Sequence, residues 1–505
     1  MNAKARKKMI IRDDLILAID QGTSGTRALL FDQHGPVHSG GRLALAPTHP
    51  RDGWVEIDPE DIWLDVLTAW RQVLEGSGAD HVTAIALATQ RDTTIVWDRR
   101  TGKPVYNAIS WLDRRGAARC RELVETGYES LVRVRSGLVV DSAFAATKVA
   151  WILENVEGAR AAAEAGHLAF GTVDSFLLWR LTGGAVHATD ASNASRTMLF
   201  NIHSQRWDAD LLALFGVPWQ MMPEVRDSAC VFGHTDRAGF GRPIPIAAMI
   251  GDQSAALIGQ GCLTPGMIKA GMGASCVMIA NTGPTALASR HGLLTSIAYR
   301  LDGEVTYALE GTVFSAGAAI GWLSESLGVI ERPEITELLA RGMKGNRGVY
   351  MVPAFSGLGA PYWDPGARGA IFGLSHDTGV PELARAALES VAYQAYDLLE
   401  AMIADGLPRP AVLRVEGAMS ANDWLLSFLA NILEVPVERP AIAETAAMGA
   451  ALLAGVHLGL YGSLDAAGNA WEGNGRFDPA IDPAYRRQLL DGWRKAVGRV
   501  QESAP

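Results

Sequence analysis

Residues 18 to 31 read AIDQGTSGTRALLF. An apolar run from Leu15 to Ile19 stops at Asp20, and a loop of Gly22, Thr23, Ser24, Gly25 and Thr26 follows. After Arg27 an apolar run resumes from Ala28 to Phe31. The pattern predicts a strand, a tight turn of small residues and a return strand. It gathers one carboxylate, three hydroxyls and one guanidinium about the turn. Glycine lets backbone N–H groups approach an anion closely, and hydroxyl donors add to such a cradle. Arg27 can hold phosphate oxygens, and Asp20 can hold a magnesium ion that bridges them. Alone, the same pattern also describes an ordinary polar hairpin, so its neighbours decide.

Two further strands end in the same manner. TAIALAT, residues 83 to 89, runs into Gln90, Arg91, Asp92 and Thr93, and the run from Ile244 to Ile250 ends at Gly251, Asp252, Gln253 and Ser254. In open α/β sheets ligands sit at the carboxyl ends of strands, so polar groups placed there converge on one crevice. A fourth segment, AGMGASC at 270 to 276, is again small and Gly-rich and leads into an apolar run, as if one phosphate-binding hairpin were used twice. Between these lie helical patterns. Residues 382 to 402 place Leu383, Ala386, Ala387, Val391, Ala395, Leu398 and Met402 on or near one face, which predicts a long amphipathic helix. Residues 446 to 453, with Gly449, predict a helix packed closely through small residues. The Gly/Pro-rich stretch 352 to 373 predicts a long irregular loop, and such loops in compact domains are usually functional. Strands alternating with helices indicate a doubly wound α/β architecture. The division falls just after the Asp252 loop: a flexible N-terminus over 1–14, then domains over 15–258 and 259–505.

Composition narrows the function. A chain of 505 residues exceeds one typical core, so more than one domain is expected. A formal charge of −10 argues against a nucleic-acid surface, which leaves a basic footprint. The basic cluster Lys4, Arg6, Lys7, Lys8 and Arg12 reads as a solvated terminus; the apolar segment behind it is too short and too interrupted for a signal peptide. No stretch has the apolar length of a membrane span. The four cysteines, Cys120, Cys230, Cys262 and Cys276, form no CxxC pair and read as reduced residues of a cytoplasmic protein. The chain contains no GxxxxGK[ST], no HExxH and no clustered Cys/His set. GMGAS only approaches a dinucleotide fingerprint, with Cys276 where the third glycine belongs. A phosphate-handling cleft with scattered carboxylates remains, and that suits phosphoryl transfer.

The segments DQGTSGTR, TQRDTTIVWD, GKPVYNAISWLDRR, GTVDSFLLW, DASNASRTMLFNIH, GDQSAAL and PAFSGLGAPYWDPGARGAIFGL resemble the FGGY carbohydrate kinases, and most closely the branch that phosphorylates glycerol. The likeness runs from about Ile16 to Trp493. It implies two actin-like, ribonuclease H-like ATPase domains with a central cleft that closes on ATP, Mg2+ and a small polyol. By position, Asp252 is the expected general base. Arg91, Asp92, Trp111, Ala143, Gln253 and Val277 are expected to line the polyol pocket. Thr23, Ser24, Gly25, Arg27, Gly273, Ala274, Gly317, Gly321, Gly417, Ala418 and Asn422 are expected to face the nucleotide, with Asp20 placing the metal. The expected partners are the polyol, ATP and a second copy of the chain.

The chain departs from the glycerol-phosphorylating pattern at several places. Asp92 stands where those kinases carry Glu, Ala143 where they carry Tyr and Val277 where they carry Phe. All three changes shorten a side chain in one shell, which predicts a wider pocket and makes a four- or five-carbon polyol or ketose the rival substrate. Ala274, Ser275, Gly321 and Ala418 also depart on the nucleotide side, which opens a reading as a non-catalytic sugar sensor. Against that reading stand Asp20, Arg27, Arg91 and Asp252, the groups most necessary for chemistry. The stretch from Gly239 to Pro245 resembles a regulatory region of some relatives.

Overall fold

Each half of the chain builds its sheet from the same sequence of moves. A computed structural model describes residues 15–75, 81–469 and 471–502; the basic N-terminal cluster and the expected flexible segment 1–14 lie outside them. In the first half, β1 (Leu15–Gly22), β2 (Gly25–Asp32) and β3 (Gly35–Ser39) run antiparallel as a meander, with the short β4 (Leu43–Ala44) on β2. β5 (Val82–Thr89) and β7 (Pro245–Gly251) then add in parallel on the other side of β1, and β6 (Ala229–His234) closes the edge antiparallel. In the second half, β8 (Ile268–Met272) and β9 (Cys276–Gly283) form the hairpin and β11 (Glu304–Val313) extends it antiparallel, with β10 (Leu294–Leu301) at the edge. β12 (Leu413–Glu416) and β13 (Val437–Pro440) then add in parallel beyond β8, followed by β14 (Gly473–Phe477). The β1–β2 and β8–β9 hairpins hold equivalent places, as the two Gly-rich loops of the sequence led us to expect.

Two helices cross between the sheets. α2 (Asp252–Gly259) continues directly from β7, and α4 (Thr445–His457), from the second half, packs on β1, β5 and β7 of the first. Their shared core is small: Ala18, Ala86, Ala88, Ala248, Ala255, Ala447, Ala450, Ala451 and Ala454 are all buried. At the crossing the backbones touch. A Cβ on Gly449 would collide with the Ala255 carbonyl oxygen, and one on Gly259 with that of Thr445. Glycine is required here for close approach, since both positions are helical. α1 (Ala145–Asn155) starts directly after Ala143 and Phe144. α3 (Val380–Ala404) differs from expectation in being buried on most of its circumference rather than along one stripe. Its polar residues Arg385, Glu389 and Tyr393 go inside because they satisfy one another: Arg385 and Tyr393 donate to Glu389 at 2.7 and 2.8 Å.

The Gly449 contact makes a direct prediction. Gly449→Ala forces backbone against backbone, and overpacking of this kind costs about 1–3 kcal/mol. It should lower the apparent melting temperature by several degrees. Gly498→Ala, in the C-terminal helix Pro483–Glu502 with open space around the new methyl, should leave it unchanged or raise it. Equal melting temperatures in a thermal unfolding comparison would refute the close-packing account.

Candidate active site

Three parallel strands end side by side. Thr89 of β5 lies between Gln21 of β1 and Gly251 of β7, so the loops that follow these strands open at one level. The hairpin turn supplies Thr23 and Ser24, the β5 end supplies Gln90 to Thr93, and Asp252 and Gln253 begin α2. Together with residues of the second half they wall a cavity of about 130 Å3 lined by Thr23, Gln90, Arg91, Asp92, Trp111, Ala143, Phe144, Arg196, Asp252, Gln253, Ser275, Val277, Leu294, Thr312, Phe314 and Trp363. Every residue expected to line a polyol pocket is therefore in this wall. Thr23, expected on the nucleotide side, is here too, and its hydroxyl accepts the Trp111 indole N–H at 2.8 Å.

The wall is organised by charge. Arg91 donates to Glu310 Oε2 at 2.8 Å, and its Nε lies 3.7 Å from Asp252 Oδ1. Arg196 bridges the other Glu310 oxygen to Asp92, reaching the Asp92 carboxylate with Nε at 3.3 Å and an Nη at 3.2 Å. Glu310 is fully buried on β11, so one carboxylate joins two guanidinium groups of the other half. Asp92 adopts the left-handed region at φ 70°, which a non-glycine residue rarely does. That backbone turns its carboxylate toward Arg196. Burial pushes the Asp252 carboxyl above its ordinary range and a neighbouring Asp92 adds to the rise, while Arg91, Lys269 and the Gln253 N–H (2.6 Å) oppose it. Gln253 is oriented by Lys269, whose ammonium reaches its Oε1 at 2.5 Å and Glu416 at 2.8 Å.

Asp20 lies near Asp252 and Glu416, and its carboxyl is pushed up to about 7, first by burial and then by those two carboxylates, against the pull of Arg42 and Arg27. Arg27 reaches across to Glu444, the residue before α4, and Ser24 Oγ accepts from Arg42. Gly25 (φ 149°) is needed because a Cβ there would collide with the Leu43 carbonyl of β4.

The second hairpin meets two other loops. The Gly317 N–H donates to the Gly273 carbonyl at 3.0 Å, and Ala316 and Ala318 donate to Ala274 at 2.8 and 3.0 Å. Cβ atoms on Gly317 or Gly417 would strike the Gly273 or Met272 carbonyl. Ala418 opens a 3-10 turn that ends at Asn422, whose side-chain oxygen caps the helix Asp423–Leu433 through the Leu425 N–H at 2.9 Å. Gly321 faces open space.

Phe144, Leu294, Phe314 and Trp363 line the same cavity as Ala143 and Val277, so large apolar side chains share the wall in which those two small residues stand. Trp363 comes from the Gly/Pro-rich loop, its indole N–H on the Gly292 carbonyl at 2.6 Å. The residues that sequence reasoning missed are Glu310, Arg196, Lys148, Lys269 and Glu416. Glu310 had a signal: a carboxylate inside the apolar strand YALEGTVF cannot be buried without a partner.

The family model for the FGGY carbohydrate kinases, N-terminal domain, matches residues 15–259, and that for the C-terminal domain matches 268–458. A glycerol kinase of Rhodospirillum centenum is 55% identical over 97% of this chain and 99% of its own length, and one of Ectopseudomonas mendocina is 51% identical over 96% and 99%. Among solved structures, Plasmodium falciparum glycerol kinase with ADP superposes with a TM-score of 0.90 at 31% identity, covering 96% of this chain and 98% of that one. A Lactobacillus acidophilus xylulose kinase shares the fold, with a TM-score of 0.87 at 21% identity.

The ionic bridge under the cavity yields its own prediction. Glu310→Gln keeps the shape but strands two buried guanidinium groups, and breaking such a pair costs about 3–5 kcal/mol. The apparent melting temperature should drop clearly relative to a surface control such as Glu337→Gln, whose partner Arg341 is exposed. Equal values for the two variants would show that Glu310 does not hold the cleft together.

Proposed function

Because the chain belongs to the FGGY family of carbohydrate kinases, we propose that it transfers the terminal phosphoryl group of ATP to a terminal hydroxyl of glycerol. The observation that carries this reading is identity of 50–55% to glycerol kinases over nearly the whole chain.

Phosphoryl transfer needs in-line positioning, charge neutralisation and one base at the attacking oxygen. Asp252 is the proposed base. Its raised affinity for a proton suits it to take one from an alcohol as the oxygen attacks. Arg91, anchored by Glu310, holds a glycerol hydroxyl from one side, and Asp92, fixed by Arg196, accepts from another. The indole of Trp111 and the rings of Phe144, Phe314 and Trp363 enclose the carbon chain and exclude water. Backbone N–H groups at the two hairpin turns face the phosphates of ATP, with the Gly273, Gly317 and Gly417 contacts leaving no room for side chains between the loops.

Magnesium fits the donor set through Asp20, and when bound it would neutralise charge on the phosphates. No group of three or more His, Cys, Asp or Glu among the described residues is placed to hold a metal ion unaided. Mg2+ characteristically takes one or two carboxylates together with phosphate oxygens and waters. Asp20, crowded by Asp252 and Glu416, is short of positive charge in a way that a divalent cation would relieve.

ADP release coupled to a reporter, over glycerol, dihydroxyacetone, erythritol, erythrulose and xylulose, tests the reading. Glycerol should give the highest kcat/KM; a longer compound ahead by tenfold, or silence across the panel, would overturn it. Asp252→Asn should cost about 10²–10⁴-fold in kcat while ATP still binds. Turnover within tenfold of the parent would remove Asp252 from the role of base.

Asp20 sets a pH dependence. Its carboxyl titrates near 7 in the folded chain against 3.8 ordinarily. The cation-holding form is the carboxylate, so kcat/KM for MgATP should fall as pH drops below about 7. Stability runs the other way: between these two values the folded state binds the extra proton, so the ligand-free protein loses stability as pH rises. Asp20→Asn should therefore lose activity yet melt higher than the parent at pH 8 without ligand. A lower melting temperature for that variant would contradict the assigned sign.

A further inference from the structure

Lys148 is among the largest fully buried side chains of the described residues, and nothing in the phosphoryl-transfer chemistry above uses it. It sits in the first turn of α1, where the exposed N–H groups of a helix make a cation unfavourable. Asp92, Asp113 and Asp141 act on it through space, as does Arg114, but its hydrogen bonds go to none of these side chains. Burial accordingly pushes its pKa down to about 8. A methionine would fill the same volume without that cost. An ammonium group has three donors and no acceptor. All three find main-chain carbonyls: Asp92 at 3.3 Å, Phe144 at 3.2 Å, and Ala143.

The identity of those three residues is what matters. Asp92, Ala143 and Phe144 all line the cavity, yet they come from the end of β5 and from the approach to α1, more than fifty residues apart in the chain. Asp92 is also, with Trp363, one of two wall residues with left-handed backbone, so its peptide orientation needs an external hold. Arg196 ties the same two segments from the side-chain side, forking to the Asp92 carboxylate with its guanidinium carbon 4.9 Å from the centre of the Phe144 ring.

We propose that Lys148 is a positioning residue for the polyol: its ammonium clamps the Asp92 backbone to that of Ala143 and Phe144 and so sets the width of the pocket. The proposal rests on the glycerol-phosphorylating reading above. The clamp touches no nucleotide loop, so its removal should be felt by the polyol and not by ATP.

The test is steady-state kinetics on the full-length chain, parent first, then Lys148→Met. An inactive parent would overturn the functional reading itself; an active parent isolates the clamp. In Lys148→Met the KM for glycerol should rise tenfold or more while the KM for ATP stays within twofold. Lys148→Gln, shorter but able to donate from its amide, should show a smaller rise in the same direction. A glycerol KM within twofold of the parent, or equal rises in both KM values, would overturn the clamp. So would failure of both variants to fold, because it would make Lys148 a folding residue rather than a positioning one.

Discussion

One carboxylate holds the cleft in register. Glu310 lies on a strand of the second sheet, and both of its oxygens are spent on guanidinium groups of the first half: Arg91 at the end of β5, and Arg196, in the turn that follows the short helix Ala191–Ala194. A buried ion pair of this kind is a poor source of net stability, because two desolvated charges roughly cancel the attraction they gain. Its value is geometric. Arg91 reaches Asp252 and Arg196 reaches Asp92, so the carboxylates that face the cavity are located through Glu310 even though they never touch it. The arrangement also keeps Arg91 from collapsing onto Asp252: with its Nη1 held by Glu310, its Nε remains at 3.7 Å, near enough to act on the Asp252 carboxylate without sealing it.

The same register depends on how closely the halves can approach, and that is decided by small side chains. Gly259 and Gly449 bring α2 and α4 into backbone contact, and the alanines around them let α4 lie flat on β1, β5 and β7. Asp252 is the first residue of α2, so the crossing that packs the halves also aims the Asp252 carboxylate. Larger residues at the crossing would move the helix axis, and a shift of even an ångström is significant where reacting atoms must align. Abundant Gly and Ala in this chain are thus tied to the chemistry through packing rather than through flexibility.

Much of this was legible in the sequence. The β1–β2 hairpin could be read because apolar runs bracket a polar turn, and the convergence of Arg91 and Asp252 followed from two strands ending in the same way. The repeated Gly-rich loop anticipated the repeated sheet topology. Pairings that depend on distant strands could not be read. Glu310 is 219 positions from Arg91, and no local pattern links a buried acid to a partner that far away. Nor could a local pattern show that Phe314 and Trp363, from distant segments, share the cavity wall with Ala143 and Val277. The approach of β4 that demands glycine at position 25 is likewise a tertiary contact that no local pattern shows. Similarly, the burial of α3 on most sides could not be inferred from its periodicity, since internal pairing of Arg385, Glu389 and Tyr393 lets polar residues face inward.

The charge around the two hairpins explains why such a site is built unbalanced. Asp20, Asp252 and Glu416 lie close together, with Lys269 placed to answer only Glu416 at hydrogen-bond distance and Arg27 drawn away to Glu444. Burial raises both Asp20 and Asp252, Asp252 and Glu416 push Asp20 further and Asp92 does the same to Asp252, so the ligand-free cleft carries an electrostatic cost in its own fold. A fully neutralised site would be more stable; this one leaves Asp20 short of positive charge and Asp252 reluctant to ionise. The wall of the cavity follows the same rule, with Arg91 and Arg196 set among Glu310, Asp92 and Asp252, so that carboxylates outnumber the guanidinium groups that answer them.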